Sequence, residues 1–195
     1  MVTVSRQGTS REQRVDRRVK RTRRIVEEAF QDLLREKKFR DITVQDIADR
    51  ADVNRATFYA HFQDKYDLLD QLLRERFRKE VIGKMPEDES ERQKLRWFVV
   101  ATLEELAALV NQQCHDIGVE PIVETRLQQE IREFLPGCFN QSAEDKTKRR
   151  PEIAASVLSW AIFGAGMDWS RMPADSRPLV EEMADEILAL LPSEF

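Results

Sequence analysis

The 195-residue chain holds only two cysteines, Cys114 and Cys138, and two histidines, His61 and His115. Two thiols are too few for a disulfide framework. Neither Cys-x-x-Cys nor His-x-x-x-His spacing occurs, so no metal site is expected. Cys114 and His115 are sequence neighbours, and on a helix adjacent side chains point in different directions. By themselves they cannot form a nucleophile with its base. Neither an enzyme activity nor a cofactor is expected. No apolar run approaches the roughly 18 residues of a membrane span, and the first twenty residues lack the apolar core of a secretory signal. The expectation is a cytoplasmic protein with no membrane partner. Internal repeats and long low-complexity tracts are also missing.

What is present is a core's worth of apolar residues, 41%, inside a well-solvated surface, 35% charged. The net charge of −4 conceals a division. Residues 1–80 hold 20 Lys and Arg against 15 Asp and Glu, net +5, whereas residues 81–195 hold 12 against 21, net −9. The two parts are built to meet different partners. The first 24 residues alone carry 9 basic against 2 acidic side chains. A basic arm over residues 1–17 suits a phosphate backbone or a minor groove, or is a solvated leader that orders on binding.

The most informative stretch is Thr43 to Leu69, TVQDIADRADVNRATFYAHFQDKYDLL. Thr43 with Asp46 three residues on is an N-cap pattern, and Val44, Ile47, Ala48 and Ala51 give one apolar helical face. Asp52, Val53 and Asn54 interrupt it; Asp and Asn tolerate left-handed backbone, and Asn54 can cap a second helix. That helix spans about Arg55 to His61, anchored by Phe58 and Phe62 and presenting Arg55, Thr57, Tyr59 and His61 outward. A short helix of this kind, held on its neighbour, can lay side chains in a DNA major groove.

The run Ile42, Thr43, Val44, Ile47, Ala48, Val53, Asn54, Thr57, Phe58, Tyr59, His61, Phe62, Lys65, Leu68 and Leu69 resembles the DNA-binding domain of the TetR family of tetracycline-repressor-like transcription factors. The resemblance covers roughly Lys20 to Phe77, with Asp52 standing where the family often has glycine. It implies an all-α fold: a three-helix DNA-binding domain with a helix-turn-helix, joined by a long helix to a helical-bundle ligand-binding and dimerisation domain. The domains expected are 1–17 arm, 18–82 DNA-binding with the connecting helix, and 83–195 effector-binding and dimerisation. Combined with side-chain chemistry, the resemblance makes Arg55 and Thr57 the candidates for base edges, arginine for its fork on guanine and threonine for its methyl against thymine. Thr43, Tyr59, His61 and Lys65 are the candidates for phosphate contacts, and Asn54 completes the DNA-binding set.

The other helices read from periodicity and breakers. Ile25, Val26, Ala29, Phe30, Leu33 and Leu34 predict a helix over about Arg18 to Glu36. Asp64 caps a helix that reaches Val81 before Gly83 and Pro86. Leu95 to Val110 and about Ile122 to Phe134 follow, the second ending at Pro136 and Gly137; Asn140 to Arg150 reads as a loop. Two final helices, from Pro151 and from Pro178, have apolar faces wider than one small bundle covers. Pairing with a second copy would cover them, as the resemblance also implies for a homodimer through the last two long helices. Trp97, Phe134, Trp160 and Phe163 are candidate lining for the pocket of an unknown small-molecule effector, since such pockets are mostly apolar and aromatic. The functional expectation is a repressor that binds a palindromic double-stranded operator and is released by the effector. The competing readings are an activator or ligand-independent regulator of the same fold, or a protein-interaction module with a degenerate helix-turn-helix.

Overall fold

The computed structural model describes residues 8–111, 120–139 and 151–190, which form helices and no strands. The α-helices are α1 (Gly8–Glu36), α2 (Val44–Arg50), α3 (Arg55–Tyr59), α4 (Lys65–Glu80), α5 (Glu91–Asn111), α6 (Glu120–Phe139), α7 (Pro151–Arg171) and α8 (Val180–Ala189). Short 3₁₀ turns at Phe39–Asp41 and Ile82–Lys84 precede α2 and follow α4. The chain divides into two compact units, residues 1–69 and 70–195, so that the division falls inside α4.

Two helices differ from expectation. The first begins at Gly8, ten residues before its apolar stripe requires. The sixth runs through Pro136 to Phe139. Pro136 withholds one amide donor from the carbonyl four residues before it, and the helix continues for three residues beyond.

The first unit closes around Val26, Phe30 and Leu33 of α1, Ile47 and Ala48 of α2, and Phe58, all buried, together with Phe39, Ile42, Phe62 and Leu68 from the connections and α4. Phe30 meets Phe39 edge-on with centroids 6.1 Å apart, and Phe58 packs on Phe62 at 5.6 Å. Complete burial of such a side chain contributes roughly 2–3 kcal/mol, which is what holds a five-residue helix as short as α3 in place.

In the second unit α7 packs along α5 and α6, and α8 lies against α5. Phe98, Leu103 and Leu106 of α5, Leu127, Ile131 and Leu135 of α6, Leu158 and Ile162 of α7, and Ala184 and Ile187 of α8 make the core. At Gly166 a Cβ would lie 2.6 Å from Leu106 Cδ1 and 2.9 Å from Leu103 Cδ2, so a larger residue there would have to displace those two leucine side chains between α7 and α5. The turn between α7 and α8 is tied by Trp169 Nε1 donating to the Pro178 carbonyl at 2.9 Å and Arg177 donating to that of Met172 at 2.8 Å.

Charge holds the α4 segment of this unit. The carboxylate of Glu130, 1% exposed, receives Arg78 at 2.7 Å, Arg74 at 3.2 Å and Arg126 of its own helix at 3.4 Å. Arg126 also grips Asp70 with its Nε and Nη2. Arg76 pairs with Glu105 of α5 at 2.5 Å. Among the described residues no helix is long and apolar enough to cross a membrane.

Candidate nucleic-acid interface

The helix-turn-helix is fixed at each of its ends by one side chain. Thr43 N–H donates to Asp46 Oδ2 at 2.7 Å while Asp46 N–H donates to Thr43 Oγ1 at 3.1 Å, a reciprocal cap that starts α2. Lys37 Nζ lies 3.0 Å from the same carboxylate oxygen. The hydroxyl and the backbone N–H of Thr43, then Lys37, hold the Asp46 carboxyl down at about 2. After the Ala51 C-cap the chain turns at Asp52, whose φ of 52° is left-handed. Aspartate bears that conformation at modest cost, which is how the turn forms without the glycine the family often has. Val53 N–H returns to the Ala48 carbonyl at 3.0 Å, and Asn54 opens α3.

Asn54 Oδ1 accepts from Thr57 N–H at 2.7 Å and from the Thr57 hydroxyl at 2.9 Å. The Thr57 hydroxyl hydrogen is thereby committed to Asn54, which leaves its methyl group and the oxygen's acceptor capacity to meet a partner. Arg55 and Tyr59 stand exposed one turn apart, the guanidinium donating to the Tyr59 hydroxyl at 3.2 Å and lying 5.8 Å from its ring centroid. Arg55 is thereby held along the outer face of α3 rather than folded back on the core. His61, half-buried, follows the helix beside Phe62 with ring centroids 6.3 Å apart, and Thr43 is exposed at the start of α2. Phe58 is 0% exposed and meets the Tyr59 ring edge-on with centroids 5.5 Å apart.

Lys65 is held by backbone carbonyls. Its Nζ donates to the carbonyls of Phe39 at 2.9 Å, Arg40 at 3.1 Å and Ile42 at 2.7 Å, and sits 4.6 Å from the Phe39 ring centroid. An ammonium has three donors, and three carbonyls use them. The N–H groups of Tyr66 and Asp67 are taken by Asp64 Oδ1, both at 2.8 Å. In the DNA-free chain Lys65 ties α4 to the turn that leads into the Thr43 cap. The contact joins residues 23 to 26 positions apart, which periodicity cannot register.

The four expected pocket residues are dispersed in character. Phe134 stacks on Phe98 at 4.2 Å and 16°, Phe163 is buried, and Trp97 is half-buried. Trp160 is 57% exposed, which corrects its assignment to an internal pocket. It stands on α7 with Ile153 and Val157, 56% and 65% exposed, at the i, i+4, i+7 spacing of one helical face. A groove of about 490 Å³ is lined by Arg132, Pro136, Ile153, Ala155, Ser156 and Val157, a set that contains none of the four. Sequence reasoning missed two buried polar groups, the Thr102 hydroxyl and the Gln128 amide nitrogen, which have no hydrogen-bond partner among the described residues. Cys114 and His115 lie outside the described residues, and the Cys138 side chain is likewise not described.

Two capped helices around a left-handed aspartate, the second displaying arginine, a threonine methyl and tyrosine, define the helix-turn-helix class of DNA-binding regulators. Residues 22–72 match the family described as bacterial regulatory proteins, tetR family. Over 64 residues, 32% of its length, the chain is 42% identical to an uncharacterized HTH-type transcriptional regulator, YxbF, of Bacillus subtilis (strain 168). Over 56 residues, 29% of its length, it is 36% identical to the HTH-type dhaKLM operon transcriptional activator DhaS of Lactococcus lactis subsp. lactis (strain IL1403). These matches span 17% and 30% of the two relatives' own lengths. The fold as a whole is similar to that of a TetR transcriptional regulator from Streptococcus agalactiae 2603V, with a TM-score of 0.63 at 21% identity over 92% of this chain and 98% of that one. It is also similar to FadR from Bacillus subtilis in complex with stearoyl-CoA, with a TM-score of 0.57 at 21% identity over 88% of this chain and 98% of that one. Residues 22–72 are thus similar to the DNA-binding part of the tetR family of bacterial regulatory proteins, and the fold of the chain is similar to that of a TetR transcriptional regulator.

Proposed function

We propose that the protein acts as a homodimeric repressor that reads a palindromic operator with two copies of α3 in successive major grooves, about 34–36 Å apart. The observation that carries this reading is that buried Phe58 anchors α3 while Arg55 and Tyr59 stand exposed side by side one turn apart, with Thr57 tied to the Asn54 cap. Arg55 is assigned to a guanine edge and Thr57 to a thymine methyl. Thr43, Tyr59 and His61 are assigned to phosphates, which set register without reading sequence, and Asn54 positions Thr57. Residues 18–82 form the reading domain with its connecting helix; residues 83–195 supply dimerisation and effector binding.

The dimer surface is the outer face of α7 with α8. Ile153, Val157 and Trp160 are exposed there, Gly164 faces open space, and Leu179 and Leu190 are 66% and 83% exposed. An apolar stripe on a charged protein favours burial against its own copy. A small-molecule effector is supported by the fold shared with FadR, whose structure holds stearoyl-CoA; Thr102 and Gln128 are the buried polar groups a ligand in this bundle could satisfy. An effector favouring the state unable to bind DNA would shift the population through α4, the helix common to both units. A full switch needs differential affinity of about 5.5 kcal/mol. The name of DhaS, a transcriptional activator, supports activation as the second reading.

The test is transcription from the selected operator in a purified system, with and without the protein. Reduced transcript sets repression above activation, and raised transcript reverses them. Loss of operator binding in a monomeric Trp160→Glu variant is expected. Full binding by a monomer would refute the dimer.

A further inference from the structure

Helix α1 is longer than its packing explains. Its buried side chains, Val26, Ala29, Phe30 and Leu33, all lie in its second half. From residue 17 to residue 21 every side chain is exposed, including Val19 at 44%. Helix from Gly8 to Thr22 therefore extends past the core by about 22 Å. Among the described side chains of this stretch, residues 17–21 are not buried against the core, and several of its charge pairs oppose the helix. The pairs Arg17/Arg21, Arg18/Arg21 and Lys20/Arg24 place like charges three or four residues apart, each costing about 0.2–0.5 kcal/mol. The first turn carries no acid to offset the helix dipole. Arg23 and Arg24 pair with Glu27 and Glu28 at 2.8 and 2.7 Å, and Lys20 is not free either. Arg17, Arg18 and Arg21 are exposed and lie within about 100° of one another around the helix, Arg17 opposite Val26 and Arg18 nearly in line with Ala29 but about three turns before it.

We infer that the N-terminal extension of α1 is a second DNA-contacting element, a rigid basic rod whose Arg17, Arg18 and Arg21 follow the phosphate backbone outside the half-site that α3 reads. The partner follows from charge complementarity: a regular row of anions relieves the repulsion between the arginines and exchanges it for released counterions. Position follows from Arg23, whose guanidinium lies 5.4 Å from the ring centroid of Phe62, directly after α3. The extension therefore leaves the first unit beside the end of the reading helix. This deepens the operator reading above and rests on it. It also replaces a flexible arm with a helix of fixed length, about six base-pair steps long.

The experiment uses the full-length dimer and the operator that the wild type itself selects. Affinity is measured from 50 to 300 mM salt for wild type, for R17Q/R18Q/R21Q and for R17K/R18K/R21K. The glutamine variant should lose about 2–3 from the slope of log affinity against log salt, about 0.9 per phosphate, and tenfold or more in affinity near 0.15 M salt. Its preferred sequence should be unchanged, its flanking backbone footprint should shorten, and the lysine variant should match wild type. An unchanged slope in the glutamine variant overturns the inference. So does an equal loss in the lysine variant, which would assign these arginines to groove reading. An unchanged slope with lost binding to phosphatidylserine vesicles would assign the face to a membrane instead. If the wild type selects no sequence the operator reading fails, and the slopes on a random duplex still decide the role of the rod.

Discussion

Residues 1–69 and 70–195 hold their helices by different means. In the first unit, helices of five and seven residues are too short to persist alone, and each end is tied by one side chain: Thr43 with Asp46, Asp52 in the turn, Asn54 with Thr57, Lys65 on three carbonyls. In the second unit, helices of 20 and 21 residues form by length and burial, and charge rather than capping sets where the α4 segment lies against α6. Local ties fix the relative positions of a few atoms, as reading base edges demands. Broad faces and a charge network hold the bundle without such local ties.

The contrast is broken most directly at Phe58. Phe58→Ala should cost about 3–5 kcal/mol and release α3, seen as lost amide protection over residues 44–69 with protection over 95–135 retained. Equal loss in both segments would mean that the units do not unfold separately. Lys65→Met comes next. Three carbonyls lose their donor, at a cost of about 2–3 kcal/mol in chemical denaturation, and all DNA sequences should be bound more weakly with an unchanged salt slope. A slope reduced by about one would assign Lys65 to a phosphate.

In the second unit Glu130→Gln should cost on the order of 1–2 kcal/mol, discounted because Arg74 and Arg78 are 44% and 47% exposed. Its amide exchange should rise along residues 70–80 first. The smallest effect sets the units against each other in acid. Asp46 has its folded value lowered from 3.8 to about 2, so its contribution is complete above about pH 4 and lost as pH falls through 2. Burial raises Glu105 above its ordinary 4.5, so its charged form opposes folding and the second unit gains stability as pH falls through that raised value. Glutamine at 105 should abolish the gain, and asparagine at 46 the loss, in stability measured from pH 6 to 2.

Legibility followed the same division. Caps and turns are local, so Thr43, Asp46, Asp52, Asn54 and Asp64 were readable from spacing, and the structure shows each making its cap or turn. Lys65 was not, because a lysine at a helix start reads alike whether it faces a phosphate or carbonyls more than twenty residues away. Trp160 misled because α7 is apolar on several sides, and periodicity cannot say which side faces inward. The network around Glu130 joins charges 52 to 56 residues apart that look, in sequence, like solvated surface. The extension of α1 was hidden by its charge, which reads as a disordered arm.

The central claim is that α3 reads an operator as part of a two-fold dimer, and selection of duplexes from a random library tests it most directly. Wild type should return a palindromic consensus with half-sites one helical turn apart, and Arg55→Ala should lose one position from each half-site while keeping the rest. Retention without any consensus, or an Arg55→Ala consensus identical to wild type, would contradict the account.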